Sequence, residues 1–314
     1  MKKFQKIALV LLLVCLAITS IGIFTIIKDN QYAREFTLND SLPDGEGKRA
    51  TVILLGGQSN AAGRSIDDYL QKNVSEAKYA EYENGYSNVY INYFSSGDNS
   101  SNEFVKCSVR QGDAGGFFGP ELGLAEKLNE EYPDETFFII KYAWSGTSIY
   151  DQWLSPSSIG RTCPLYKEFV RFVEMSMNYL ISKNYEVKIA GMCWMQGESD
   201  ASTPIDAILY EHRLINFIED LRNEFADYSP EGGFAFVDAY IADAPELWTF
   251  CDLVNRSKQA VADSHSLNVV IDTVKEGLKC DAEPIEEPDR MHYDALSELK
   301  LGHLFAQSLE SFLD

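Results

Sequence analysis

The sequence predicts an α/β fold in which a central, mostly parallel sheet of five strands carries helices on both faces. Three observations carry that expectation. Short apolar runs alternate with helical patterns along most of the chain, the order that builds parallel sheets. Most of those runs are near-continuously apolar, as in strands buried on both faces. A long, turn-rich insertion, residues 64–118, directly follows the first strand. It would lie at the carboxyl edge of the sheet, where ligands bind in such folds.

The elements follow in order. Strands are expected at residues 51–55, 136–142, 187–194, 234–237 and 267–271, with a short additional one at 88–94 inside the insertion. Helices are expected at 120–132, carrying Leu122, Leu124, Ala125 and Leu128, and at 165–182, carrying Phe169, Phe172, Val173, Met177 and Leu180. Thr203 and Pro204 read as cap and first residue of a helix running towards Phe225. A shorter helix is expected at 253–263. Asp294 caps the last one, whose apolar stripe is Leu296, Leu299, Phe305, Leu309 and Phe312.

Residues 1–28 stand apart. Lys2, Lys3 and Lys6 precede a run at 7–27 with no charge, long enough to span a bilayer core. No small-residue cleavage site closes the run, so it reads as a signal anchor in preference to a cleaved signal peptide. Val14 precedes Cys15 where a lipoprotein signal would carry a small residue. The basic N-terminal end stays cytoplasmic by the positive-inside rule, which makes the bulk of the chain extracytoplasmic. Residues 29–48 are polar and turn-rich and read as a linker to a single domain at 49–314. The chain carries a net charge of -21, concentrated after residue 28, because the first 28 residues hold four lysines and no acid. Such a surface repels nucleic acid and anionic lipid and suits a neutral substrate, or simply solubility. Beyond Cys15, five cysteines remain (Cys107, Cys163, Cys193, Cys251 and Cys280), so at least one thiol stays unpaired. Cys193 lies in an apolar run and reads as a buried thiol. No pair has the spacing of a zinc or redox motif, there is no His-Glu-x-x-His and no phosphate loop, so neither metal nor cofactor is expected.

Candidate chemistry collects at strand ends. Gly56-Gly57-Gln58-Ser59-Asn60 follows the first strand and puts Ser59 on a turn. A serine that attacks an ester needs a base, an acid to orient that base, and donors for the oxyanion. Of four histidines, His212 and His303 fall in helix patterns and His265 follows a helix end. His292 lies in a loop three residues after Asp289, a spacing that can set a carboxylate on the imidazole Nδ1 and leave Nε2 for the serine. Taken alone, either motif also fits a plain turn. Asn60-Ala61 after the serine departs from the Gly-x-Ser-x-Gly elbow and argues against an ordinary α/β-hydrolase. Trp194-Met195-Gln196-Gly197-Glu198-Ser199-Asp200 ends another strand: Gln196 offers an amide donor, and Glu198 and Asp200 read as acids or as loop-fixing groups. Gly146, after Lys141-Tyr142-Ala143-Trp144-Ser145, would let a backbone N–H approach a ligand closely. Trp144, Tyr150 and Trp153 fit sugar stacking or core packing equally.

These motifs, with Gly119-Pro120-Glu121-Leu122, occur in the order found in the SGNH hydrolase superfamily. Over about residues 51–306 the chain resembles its sialate O-acetylesterase-like and acetylxylan esterase group, carbohydrate esterase family six. The resemblance implies a flavodoxin-like three-layer αβα sandwich and a Ser-Asp-His triad of Ser59, Asp289 and His292. It implies an oxyanion hole from the Ser59 N–H, a glycine N–H and the Gln196 side chain. Where the family commonly has Gly-Gly-Thr, this chain has Ser145-Gly146-Thr147, which leaves Gly146 as the expected donor. Glu198 is a supporting group and the alternative acid. The implied activity is removal of O-acetyl groups from carbohydrates such as xylan or sialic acid, outside the cytoplasm. Peptidoglycan or lipid-like esters are alternative substrates, and a non-catalytic glycan-binding protein on this scaffold is the alternative of another class.

Overall fold

The computed structural model describes residues 31–96, 99–158 and 162–313. Strand β1 (Arg49–Gly57) is the centre of a sheet of seven strands. Beside it lie β6 (Phe137–Ala143) on one side and β7 (Glu186–Met195) on the other, both parallel to it. β3 (Val89–Ser95) extends the sheet beyond β6, and β8 (Ala235–Ala239) and β9 (Asn268–Ile271) extend it beyond β7, all parallel. The two-residue β4 (Val105–Lys106) closes the β3 edge antiparallel. The expected five strands are therefore present, and β3 and β4 bring the sheet to seven. Two further two-residue strands, β2 (Ser65–Ile66) and β5 (Phe117–Phe118), pair with each other inside the insertion.

Alternation along the strands sends neighbouring side chains to opposite faces. Tyr142 of β6 meets Phe169 and Phe172 of a helix at Pro164–Ser182. Trp194 of β7 packs on Phe217 of a helix at Pro204–Glu224, with ring centroids 4.7 Å apart. On the opposite face, Lys141 reaches Glu121 of the helix Pro120–Glu131, and Gly191 lies against Leu309 of the helix Ala295–Leu309. Those last two helices cross closely: a Cβ on Gly123 would sit 2.1 Å from the Leu299 carbonyl oxygen. Thr203 and Asp294 cap their helices through side-chain oxygens, as their positions suggest.

The insertion also holds two short helices that the sequence pattern does not announce, Asp67–Asn73 and Glu76–Asn84, because they are largely polar. The expected anchor at 1–28 lies outside the described residues; among the described residues no helix is long and apolar enough to cross a membrane. The described part of the expected linker, 31–48, has little regular structure before β1 begins but is no free tether. Phe36 packs edge-on against Phe94, Tyr142 and Phe172, Leu42 is buried, and the Tyr179 hydroxyl accepts from the Ser41 and Leu42 N–H groups. Its aromatic residues, few among many polar ones, decide its placement. The five described cysteines form no disulfide, and all but Cys280 are buried.

Candidate active site

The register of the three central strands builds the site. Gly57, the last residue of β1, pairs with Ala143 at the end of β6 and with Met195 at the end of β7. The segments that carry Ser59, Gly146 and Gln196 therefore leave the sheet side by side, where strand order reverses around β1. Gly57 has φ 138°, and a Cβ there would lie 2.0 Å from the Met195 carbonyl oxygen, so the turn demands glycine. Gln58 N–H donates to Met195 O at 2.9 Å, and Ser59 opens a one-turn helix, Ser59–Ala62. The Ser59 side is nearly covered, at 7% exposure.

Asn60 joins this turn to two other segments. Its Nδ2 donates to Glu198 Oε1 at 2.8 Å and to Met291 O at 3.4 Å, and its Oδ1 accepts from Tyr293 N–H at 3.1 Å. One amide thus holds both chain neighbours of His292. Asp289 and His292 form the expected pair, with Nδ1 2.6 Å from Oδ2. The other carboxylate oxygen accepts from Met291 N–H at 3.1 Å, and Arg290 takes a left-handed φ of 64° to close the turn. The three-residue spacing works because both oxygens of Asp289 are engaged within its own loop. Beside the imidazole lies a cavity of about 170 Å³ lined by Arg64, Ile66, Phe117, Glu283, Asp289 and His292 among others. The remaining histidines have local structural partners: His303 bonds Glu126, His212 meets Asn216, and His265 accepts from Leu267 N–H.

Gly146 has φ 68° and open space on its Cβ side. Its loop is held from several directions. Trp144 N–H donates to Gly57 O at 3.0 Å, Ser145 N–H to Ser96 Oγ at 3.1 Å, and Ser145 Oγ to Asp113 Oδ2 at 2.9 Å. Among the described residues, the Ser59 and Gly146 N–H groups have no protein acceptor, which leaves both free for an oxyanion.

Gln196 departs from its expected role. It is fully buried, and its Nε2 points at Asp200 Oδ2 (2.7 Å), Thr147 O (3.0 Å) and Gln58 Oε1 (3.3 Å), while its Oε1 accepts from the Tyr210 hydroxyl. Reversing the amide would set its carbonyl against three oxygens. Two N–H hydrogens facing three acceptors leave none for a substrate, so Gln196 braces the three strand ends. Glu198 is buried too; its Oε1 is held by Asn60, and its Oε2 has no partner among the described residues. Burial pushes its carboxyl up, opposed in part by Asn60, Lys258 and His292. Asp200, which fixes the Gln196 amide and the Ile149 N–H, is pushed up to about 7 by burial.

The three aromatic candidates separate. Trp153 is a core residue, wedged between Trp194 and Tyr142. Trp144 is flanked by Tyr32, Phe94 and the Arg34 guanidinium. Tyr150 is about half exposed, with Arg213 over its ring at 4.4 Å. Asp113 and Asn60 were the positions sequence reasoning left without a role. The Gly112-Asp113-Ala114-Gly115-Gly116 loop and the Asn after the serine were the signals present.

Among solved structures, similar folds occur in a protein from Arabidopsis thaliana and in NanS. The first is 20% identical with TM-score 0.59, covering 87% of this chain and 100% of its own. NanS is 16% identical with TM-score 0.60, covering 87% and 98%. A carbohydrate acetylesterase from Xanthomonas citri is 18% identical with TM-score 0.54, and the match covers 84% of this chain and 56% of that longer one. At these identities the likeness is one of fold. No curated protein sequence matches the chain. A mostly parallel sheet with flanking helices carries a serine-bearing turn at the carboxyl end of its central strand, an arrangement suited to a hydrolase. Residues 49–311 match the family model described as carbohydrate esterase, sialic acid-specific acetylesterase, and the chain belongs to that family. It is accordingly a carboxylic ester hydrolase, a carbohydrate O-acetylesterase.

Proposed function

We propose that the chain deacetylates O-acetylated glycans, sialic acids foremost, through a triad of Ser59, His292 and Asp289. The observation that carries this reading is the Asn60 amide, which ties the serine turn to both neighbours of a histidine already paired with Asp289. Asp289 orients the imidazole through Nδ1 and leaves Nε2 to take the Ser59 proton as Oγ attacks the acetyl carbonyl. The backbone N–H groups of Ser59 and Gly146 receive the negative charge that develops on the carbonyl oxygen. His292 then protonates the departing sugar oxygen. Water, deprotonated by the same imidazole, releases acetate from Ser59. The hydroxyl and the imidazole need only approach within hydrogen-bond reach when substrate fills the cleft, since such contacts are commonly longer in free enzymes.

The family description supports a sialic acid substrate. We place the catalytic domain outside the cytoplasm, held at the membrane by residues 7–27, on the basis of their uncharged length and the preceding lysines. The partner is then an acetylated carbohydrate in the extracytoplasmic space.

The test is acetate release by the purified chain from O-acetylated sialic acid, acetylated xylan and O-acetylated peptidoglycan, with Ser59→Ala as control. Sialate should be turned over fastest, and Ser59→Ala should lose all measurable turnover while keeping its melting temperature. Full activity in Ser59→Ala would reject the triad. Turnover confined to peptidoglycan would reject the substrate. A second reading, with Glu198 as the acid, draws on its unpartnered buried oxygen. It predicts that Glu198→Gln loses more kcat than Asp289→Asn.

A further inference from the structure

The family match begins at residue 49, yet the described chain begins earlier and runs directly against the site. Tyr32 lies edge-on to Trp144, with centroids 5.1 Å apart at 75°. The Arg34 guanidinium sits 4.9 Å from the centroid of the same ring. The Tyr32 hydroxyl accepts from Gln152 Nε2 at 3.4 Å, and the Arg34 N–H reaches Glu168 Oε2 at 3.4 Å. Trp144 is two residues before Gly146. The core side of its loop is held by Gly57 O, by Thr147 Oγ1 on Trp144 O, and by Ser96 and Asp113 through Ser145. Phe94 supports the Trp144 ring from the sheet, and Tyr32 and Arg34 lie against it from the N-terminal segment.

We propose that Tyr32 and Arg34 are positioning residues for catalysis. This N-terminal strap holds the Trp144 ring and thereby keeps the Gly146 N–H aimed at the place where the oxyanion forms. The functional unit then extends beyond the family's boundary to residue 32. The proposal rests on the reading of Gly146 as an oxyanion donor. A donor must stand within a few tenths of an ångström of its place, and small displacements by residues remote from the reacting atoms cost large factors in rate. A glycine with positive φ and nothing packed over it keeps its orientation only through its neighbours.

The test uses the full chain with p-nitrophenyl acetate as substrate. Tyr32→Ala combined with Arg34→Ala should lower kcat about ten-fold, change KM by less than about two-fold, and leave the protein folded at the assay temperature by thermal melting. Tyr32→Phe keeps the ring against Trp144 and should stay within about two-fold of the parent. Labelling of Ser59 by a fluorophosphonate should go to completion in the double variant but more slowly, because the serine is intact and the oxyanion site is loosened. Parental kcat in the folded double variant, with Ser59→Ala inactive, would overturn the strap alone. An equal loss in Tyr32→Phe and Tyr32→Ala would also overturn it, since the ring contact would not be what matters. Full activity in Ser59→Ala would overturn the strap and the site together.

Discussion

Asn60 makes no covalent chemistry in the proposed reaction, yet its one amide reaches Glu198, Met291 and Tyr293. Removing it strands a buried carboxylate oxygen and loosens the loop that carries His292. Leaving such groups unpaired costs about 1–3 kcal/mol. If that loss falls on the transition state, Asn60→Ala should reduce kcat about ten- to hundred-fold, with KM little changed, in steady-state kinetics on protein that still melts cooperatively. Gln196 sits at the same scale but has a different consequence. Its amide joins Asp200, Thr147 O and Tyr210 in the buried interior, so Gln196→Ala should lower the unfolding free energy by about 3 kcal/mol, read by urea denaturation. That role was illegible in the sequence. Gln196 follows a strand and precedes a glycine, which is equally the position of a substrate donor; only the three acceptors folded around it decide the matter.

Elements were the most legible scale. The apolar runs that became β1, β6, β7 and β8 are largely buried on both faces, and such runs announce themselves without any partner being known; β9, at the sheet edge, is only partly covered. β4, β2 and β5 are two residues each and offer no period to detect. The pair that fastens the helix Pro120–Glu131 to the sheet was also invisible. Lys141 and Glu121 are both fully buried, Nζ lies 2.6 Å from Oε2, and Nζ also donates to Gln111 O at 3.0 Å. A lysine in a strand pattern looks like an edge or surface residue until the facing helix brings its carboxylate. Breaking a buried pair from one side leaves an uncompensated charge, so Lys141→Met should cost about 3–5 kcal/mol. Adding Glu121→Leu should recover most of that loss, and chemical denaturation of the single and double variants measures both.

Across the whole molecule, buried carboxyls give stability a slope with pH. Burial raises Asp200 and Glu283 to about 7, and Asp238 to about 6 despite Lys258. The unfolded chain ionises such groups near their ordinary values, 3.8 for Asp and 4.5 for Glu, whereas the folded chain keeps their protons longer. Between those limits the folded state binds more protons, so the stability they contribute falls as pH rises towards 7. Glu126 runs the other way: the hydrogen bonds of His303 and Lys78 overcome its burial and hold it down at about 2, so its contribution is lost as pH falls from 4.5 to 2. The melting temperature should therefore be higher at pH 5 than at pH 8. Asp200→Asn, which keeps an acceptor for Gln196 and carries no charge, should shrink that difference in thermal melts. Unfolding and turnover will then have separate pH profiles. The cysteines add a property of handling. With no covalent cross-link among the five described thiols, a reductant has no bond to break in the described domain. Dithiothreitol should shift neither its melting curve nor its rate, and the enzyme can be prepared in a reducing host without an oxidative refolding step.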